Sequence, residues 1–541
     1  MKRTRLPILL VEVPTNQLLF TGTNPYTREE LSDVNLGHVV SNTTKITQPL
    51  LAAFLKRDLP ALGYDPEFAF FDGKTMPINM LDVNFETLQS SRYIRHDLST
   101  EYAGGKVELF RRGVGLGSIT NMLCNFPVAA FTANFTFEAH RILEAVHIYK
   151  SANPKGKVAI GGRDAMFRPE YYLLNGADAV VIGEGDEIAA KLLVALVEGR
   201  EICFSGVAFQ DFDGSFMGIG QRPLRAPIRD LPLPYFFSGD EILRRDLPGG
   251  IVQYYVQSQD GPLPSGILSP LYHCFFSRGC IYDCSFCPNC QMGRHDCMPL
   301  EQIEQHLRHL KNNGVKTLIF AEDAFLERVL SRRKEGGREE IIQIMQMIRD
   351  FGFSVEWANG INIHVLVNKN KEIDLELLDA VFSVTYRLSV PVERAAGDER
   401  LRKLTKPSIQ RELVAAIASR HHPFVMGLMC ILRPEDSPID YLAMQENILE
   451  MRVVINEASN GLTKSRVGLF SLISIPGSAD ESLEPNAAFP IDTHPFYRHF
   501  FTPSLNGRMS YAEQFWARQD LLRAVDPDTY HSWLQSGIYC V

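Results

Sequence analysis

Phe275-Phe-Ser-Arg-Gly-Cys280-Ile-Tyr-Asp-Cys284-Ser-Phe-Cys287-Pro-Asn-Cys290 is the stretch on which the reading of this sequence turns. Its first three cysteines form a C-x3-C-x2-C triplet, and Cys290 follows three residues on. Ten cysteines occur in 541 residues and six of them fall between Cys274 and Cys297, so the density is local and asks for a local cause. Thiolates this close can fold around one metal centre, and zinc and iron-sulfur are the two soft-metal candidates. Structural zinc usually takes two knuckle pairs across a loop; the triplet, with no distant second pair, fits that pattern poorly. Buried cysteines acting only as small hydrophobes would not concentrate in a loop that carries Gly279 and Asp283.

Outward from the cysteines, the chain has the composition of an ordinary globular protein, 45% hydrophobic and 22% charged, and its length calls for two or three domains. A net charge of -9 gives no positive field for phosphate backbones or anionic lipid, so neither nucleic acid nor membrane is an expected partner. Met1-Lys-Arg-Thr-Arg5 looks like the start of a signal peptide, but the apolar run Leu6 to Val11 is interrupted by Pro7 and ends at Glu12. It reads as a first β-strand. No apolar stretch approaches the length needed to cross a bilayer, and a cytoplasmic protein with reduced thiols is expected.

From residue 1 to about 221, short apolar runs alternate with amphipathic segments. Ile8 to Val13, Phe68 to Phe71, Val128 to Phe131, Lys157 to Ile160 and Ala179 to Ile182 are predicted strands. Phe137 to Tyr149 and Ile188 to Leu196 are predicted helices, and the alternation predicts a doubly wound parallel sheet. A Pro-rich passage over 222–270 reads as a linker. A second alternation over 271–479 follows, with strands at Thr317 to Phe320, Phe353 to Trp357, Val381 to Val390, Phe424 to Leu432 and Arg466 to Ile475. Helices at Leu300 to Lys311 and Ile341 to Asp350 separate them, and a strand leading into Cys280 makes about six repeats of an open parallel barrel. Residues 480–541 break that rhythm as a C-terminal extension, with aromatics from Phe496 to Phe501 and at Tyr511, Phe515 and Trp516 that read either as a cover for the barrel mouth or as the packing of a terminal helix.

The triplet, with Phe286 before its third cysteine, resembles the defining motif of the radical S-adenosylmethionine superfamily. The flanking Ser277-Arg-Gly-Cys280 and Pro288 are similar to the subgroup with an N-terminal cobalamin domain. The resemblance implies that Cys280, Cys284 and Cys287 hold three irons of a 4Fe-4S cluster, while the open fourth iron chelates S-adenosylmethionine and reduces it to a 5'-deoxyadenosyl radical. Cys290 could close the site as a fourth ligand but is expected to point away, and Cys274 and Cys297 could serve a second centre but are expected to be buried thiols. By the same resemblance Phe286 lies near the cofactor's adenine, Glu322 in Ala321-Glu-Asp323 meets its amino group, and Ser389 or Glu393 approaches its ribose or carboxylate. The cluster's electron would come from a donor such as flavodoxin or ferredoxin.

Thr132-Ala-Asn-Phe-Thr136, Lys157-Val-Ala-Ile-Gly-Gly162 and Ala177-Asp-Ala-Val-Val-Ile-Gly-Glu-Gly-Asp-Glu187 each end a predicted strand and resemble the cobalamin domain of this subgroup. In doubly wound sheets ligands sit at the carboxyl ends of the strands, so Thr132, Asn134, Phe135, Gly161, Gly162, Glu184 and Gly185 are candidate cobalamin contacts. No D-x-H-x-x-G occurs, so cobalt is expected to lack a histidine ligand. The resemblance implies a Rossmann-like cobalamin-binding domain, a partial (β/α)6 TIM-type barrel and a short extension. It implies a C-methyltransferase acting on an unactivated carbon of a small metabolite or peptide. Radical rearrangement or cyclisation is the alternative within the family, and a metal-stabilised scaffold protein is the alternative from another class.

Overall fold

The computed structural model describes residues 3–21, 47–74, 93–102, 105–211, 213–244, 270–282, 284–288, 295–322, 324–330, 336–368, 370, 372–392, 407–420, 422, 424–433, 435–472, 476–478, 509 and 511–536. Glu393, Cys290, Cys540 and Phe496 to Phe501 lie outside them.

The first ten strands are β1 (Thr4–Glu12), β2 (Thr15–Thr21), β3 (Tyr64–Asp72), β4 (Tyr93–Tyr102), β5 (Gly105–Arg112), β6 (Val128–Thr132), β7 (Lys157–Gly161), β8 (Ala179–Val181), β9 (Val207–Gln210) and β10 (Phe216–Met217). Seven of them form one sheet in the order β10-β9-β8-β7-β6-β1-β3. The run from β3 to β8 is parallel, and β9 and β10 add antiparallel edges. A strand covered on both faces must be apolar on both, which is why β1 reads as an unbroken run. Leu6, Ile8 and Leu10 pack with the helices Thr47–Asp58 and Ala189–Glu198, whereas Leu9 and Val11 pack with Ala139–Ala152. Strands β2, β5 and β4 form a separate antiparallel sheet that the sequence reading did not anticipate.

The remaining strands are β11 (Leu271–Cys274), β12 (Ser277–Arg278), β13 (Asp296–Cys297), β14 (Thr317–Phe320), β15 (Ser354–Trp357), β16 (Thr385–Pro391), β17 (Val425–Leu432) and β18 (Lys464–Ser471). Six run parallel in the order β11-β14-β15-β16-β17-β18, each beside its predecessor, and β12 pairs with β13 as a small hairpin. One face meets the helices through Leu318, Phe320, Val355, Trp357, Met426 and Leu428. Helix Leu300–Asn312 answers with Ile303, Leu307 and Leu310, and Gly337–Asp350 with Ile341, Ile344, Met345 and Ile348, at the three- and four-residue spacing of one helical stripe. The other face carries Glu356, Arg387, Ser389 and Gly427 at paired positions.

The run Val381 to Val390 is not one strand. Helix Leu375–Phe382 ends inside it and β16 begins at Thr385. Leu377, Leu378, Val381 and Phe382 lie on one helical face, and the Asp374 carboxylate accepts from the Leu377 N–H (3.1 Å) to cap it. The Pro-rich passage, as far as it is described, threads between the two cores: Ile228 and Leu231 join the core of the second sheet, and Phe237 and Ile242 that of the first. At the other end, helix Tyr511–Val525 lies against β18, where Arg518 donates to the Leu469 carbonyl and the Asp526 carboxylate accepts from the Val467 N–H (3.0 Å). Side chains thus satisfy backbone groups along an edge strand that would otherwise stay open.

Candidate functional site

Both sheets end in loops that carry the singled-out residues. In the second sheet, β11 delivers the chain to Phe275, and the next turns are held from below. Glu322, just past β14, accepts from the Phe276 N–H (3.0 Å) with one carboxylate oxygen and from the Ser277 hydroxyl with the other. Arg328 donates to the carbonyls of Phe276 (3.2 Å) and Met298 (3.0 Å) and pairs with Glu340 (2.8 Å). Both Glu322 and Arg328 are buried. Their charges are therefore spent on fixing backbone, a use that buried ions require.

Gly279 takes the left-handed conformation, φ 75°, which turns the chain into Cys280. Cys284 is buried and Cys280 and Cys287 half-buried, with the Cys287 N–H bonded to the Cys284 carbonyl (3.1 Å). Phe286 is half-buried between them. Within the triplet, Tyr282 is anchored by Asn362, whose amide donates to the tyrosine oxygen (2.7 Å) and to Glu327 (3.2 Å). Burial, then the Glu327 charge, pushes the Tyr282 phenol up, so it stays neutral. The eight described cysteines are thiols, none of them in a disulfide.

Among the described residues no three His, Cys, Asp or Glu side chains converge as ligands of a single ion. A cluster distributes its thiolates over separate irons, so the soft donor set of one short loop suits a cluster without that convergence. Cys274 is buried and its thiol is raised well above its ordinary range by burial and by Glu322. Cys297, 3.6 Å from His295 Nδ1, is pushed up to about 11 by burial. Cys274 is a buried thiol, whereas Cys297 is half-buried.

In the first sheet, β1 lies between β3 on one side and β6 on the other, so the connections diverge there and leave a crevice at the carboxyl ends. The fully buried Gln48 spans it, donating to the Val11 carbonyl (3.0 Å) and the Thr132 hydroxyl (3.0 Å). Asn134 accepts from the Arg163 N–H (3.4 Å), and Phe135 is 53% exposed and stacked on Phe137 (5.4 Å). At Gly162, φ 113°, a Cβ would lie 2.4 Å from the Ala133 carbonyl oxygen, so no side chain can intrude there. Gly161 ends β7, Gly185 lies four residues beyond the end of the neighbouring β8, and Glu184 accepts from the Ala226 N–H (2.6 Å). Beside the crevice Lys74 pairs with Glu138 (2.5 Å); burial opposes its charge, but Glu138, Glu12 and Asp72 outweigh that and raise its pKa. An exposed aromatic beside bare glycine backbone suits a broad, flat ligand.

Two contacts join the sheets at these ends. Arg278 reaches Asp186 (2.5 Å) and Glu184 (3.4 Å), and Gly477, beyond β18, sits so near Phe167 that a Cβ would lie 2.4 Å from its ring. Sequence reasoning missed Arg278, Asp186, Arg328, Asn362 and Phe167; Arg278 and Asp186 each lay inside a quoted motif, but no local pattern reveals a partner ninety residues away.

Solved structures share this fold. The chain matches the cobalamin-dependent S-adenosylmethionine radical enzyme OxsB, bound to aqua-cobalamin and S-adenosylmethionine, at 12% identity and TM-score 0.56, over 88% of this chain and 60% of that one. It matches the radical S-adenosylmethionine methyltransferase TsrM of Kitasatospora setae, with cobalamin and a 4Fe-4S cluster bound, at 13% identity and TM-score 0.56, over 98% and 90%. The fold is that of these cobalamin-dependent radical S-adenosylmethionine enzymes, and the cysteine triplet resembles their cluster motif. Curated relatives of the chain include an uncharacterised methyltransferase of Pyrococcus horikoshii, 26% identical over 44% of the chain and 46% of the relative. The hopanoid C-3 methylase of Methylococcus capsulatus is 30% identical over 37% and 35%. The anaerobic magnesium-protoporphyrin IX monomethyl ester cyclase of Rubrivivax gelatinosus is 28% identical over 37% and 33%. The matches thus span less than half the length of these relatives, and no family model matches the chain. No helix among the described residues is long and apolar enough to cross a membrane.

Proposed function

We propose that the chain is a cobalamin-dependent radical S-adenosylmethionine C-methyltransferase acting on an unactivated carbon of a small metabolite or peptide. Residues 1–221 act as the cobalamin-binding domain, 222–270 as the connector, 271–479 as a partial (β/α)6 barrel and 480–541 as an extension beside it. The observation that carries the reading is the cluster loop. A C-x3-C-x2-C triplet at the carboxyl end of the first strand of a parallel sheet faces, through Arg278, the strand ends of a second parallel sheet.

When bound, the cluster and S-adenosylmethionine supply a carbon-centred radical, and cobalamin supplies a transferable methyl group. The chain's own part is to hold and to exclude. Cys280, Cys284 and Cys287 hold the cluster, and Glu322 and Arg328 hold the loop that carries them. Phe286 and Ser389, the latter beside Gly360 and Gly427 where a side chain would crowd it, border the S-adenosylmethionine. Thr132, Asn134, Phe135, Gly161, Gly162, Glu184 and Gly185 border the cobalamin. Glu356 and Arg387 pair (3.7 Å) on the inner face of the second sheet, and Glu356 is buried, which favours a curled sheet enclosing a water-poor chamber. An electron donor of the flavodoxin or ferredoxin type completes the system. The cyclase among the relatives favours a radical cyclisation as the second reading.

Anaerobic reconstitution tests the proposal. The full chain should bind iron and sulfide at one cluster per chain and show cobalamin absorbance. Replacing Cys280, Cys284 and Cys287 with alanine should remove the iron. With S-adenosylmethionine labelled in its methyl group, label in the product supports methylation and unlabelled product supports cyclisation. Zinc in place of iron, or iron retained by the triple variant, would overturn both readings.

A further inference from the structure

Arg278 belongs neither to the cysteine triplet nor to the hydrophobic core of the second sheet, yet it bridges the two sheets. Its guanidinium lies 2.5 Å from Asp186 and 3.4 Å from Glu184, all three side chains being about four-fifths buried or more, and covers the Phe275 ring at 5.4 Å. The same two loops are tied a second way. The crossing segment Leu224 to Ile228 bonds backward to the first sheet, Leu224 exchanging backbone hydrogen bonds with Ile182 and Glu184 while the Ala226 N–H donates to the Glu184 carboxylate (2.6 Å). It bonds forward to the second, where the Ile228 N–H donates to the Asp296 carboxylate (2.9 Å), and Asp296 pairs with Arg278 across the β12–β13 hairpin. The result is a closed circuit: loop 184–186, crossing segment, hairpin, Arg278, and back to the loop. A planar guanidinium facing two carboxylates fixes direction as well as distance.

We propose that Arg278 is a positioning residue whose pair with Asp186 sets the separation and orientation of the cobalamin loop relative to the cluster loop. The inference rests on the reading above, because it presumes that those loops carry those cofactors. Cys280 lies two residues beyond Arg278, and Asp186 one residue beyond Gly185, so a shift at the pair passes to both sites through very little chain.

The test uses the full chain, reconstituted anaerobically with cluster and cobalamin, as wild type, Asp186→Asn, and the exchanged pair Asp186→Arg with Arg278→Asp. The reduced cluster and the Co(II) form of cobalamin each carry one unpaired electron, and the magnetic coupling between them reads their separation independently of turnover. Reductive cleavage of S-adenosylmethionine to 5'-deoxyadenosine, which needs only the cluster side, is the control. Wild type should show one resolved coupling; Asp186→Asn should broaden or lose it while keeping its iron and cleaving S-adenosylmethionine within about twofold of wild type; the exchange should restore it. A coupling unchanged in Asp186→Asn, or still lost in the exchanged pair, overturns the inference. Loss of iron from Asp186→Asn that the exchange does not repair counts against it equally. Wild type that holds no cluster or no cobalamin overturns instead the reading on which it rests.

Discussion

Glu322→Gln separates two roles that one carboxylate can play. In the structure both oxygens of Glu322 face the cluster loop, on the Phe276 N–H (3.0 Å) and on the Ser277 hydroxyl. Glutamine keeps one acceptor and turns an NH2 toward one of these donors, so one charge-assisted hydrogen bond is lost. Such a bond contributes about 1.5–3 kcal/mol, and with a denaturant slope of ~2 kcal/mol/M the urea midpoint should fall by about 1 M. Were Glu322 instead a direct ligand of the S-adenosylmethionine amino group, the same energy would appear as a roughly 10- to 150-fold weaker Kd. The geometry predicts the first result. Urea unfolding of the metal-free variant should show the shifted midpoint, and equilibrium dialysis of the iron-replete variant should give a Kd within about threefold of wild type. A Kd weakened tenfold or more at an unchanged midpoint would refute the assignment of Glu322 to the loop.

Three further outcomes follow from burial and packing. His306 is held down to about 4 by burial, against a hydrogen bond that its ring donates to the Leu231 backbone carbonyl. A depressed histidine favours the native state above its unfolded pKa of ~6.5, and up to roughly 3 kcal/mol of that is lost as the pH falls through the folded value. His306→Gln should therefore flatten the acid side of a urea-midpoint profile, and an unchanged slope would count against it. Alkylation of the native metal-free chain at mildly alkaline pH should label the exposed Cys124 and Cys203 first and spare the buried Cys274 and Cys430, as peptide mapping can read. Gly477→Ala places a Cβ 2.4 Å from the Phe167 ring at a φ of 84°, and overpacking of this kind costs about 1–3 kcal/mol. The steric share should vanish in a Phe167→Ala background, so a double-mutant cycle with no coupling refutes the contact.

Where the sequence was informative, periodicity and cysteine spacing carried the reading. The parallel strands β1, β6, β7 and β14 stand where their apolar runs predict, because a strand buried on both faces writes its location as an unbroken run. Helix Leu375–Phe382 was hidden by the same rule: four apolar residues in a short window fit either period, and the capping contact from Asp374 decided for the helix. Strand β2 escaped because no spacing relates it to β5 some ninety residues later, whereas β4 and β5 pair locally as a hairpin that a reading for parallel strands passed over.

By itself the sequence determined the chemistry available: a thiolate triplet in one loop, glycines at strand ends, and two runs of alternating elements long enough for two cores. Short-range patterns suffice for this, since ligand spacing and hydrophobic period are properties of neighbouring residues. Only the tertiary structure decided what holds the loops and where they meet. Glu322 and Arg328 turned out to brace the cluster loop, and Arg278 turned out to reach Asp186. A buried charge takes whichever partner the folded chain brings within hydrogen-bond distance, and that depends on three-dimensional proximity, which carries no local signature.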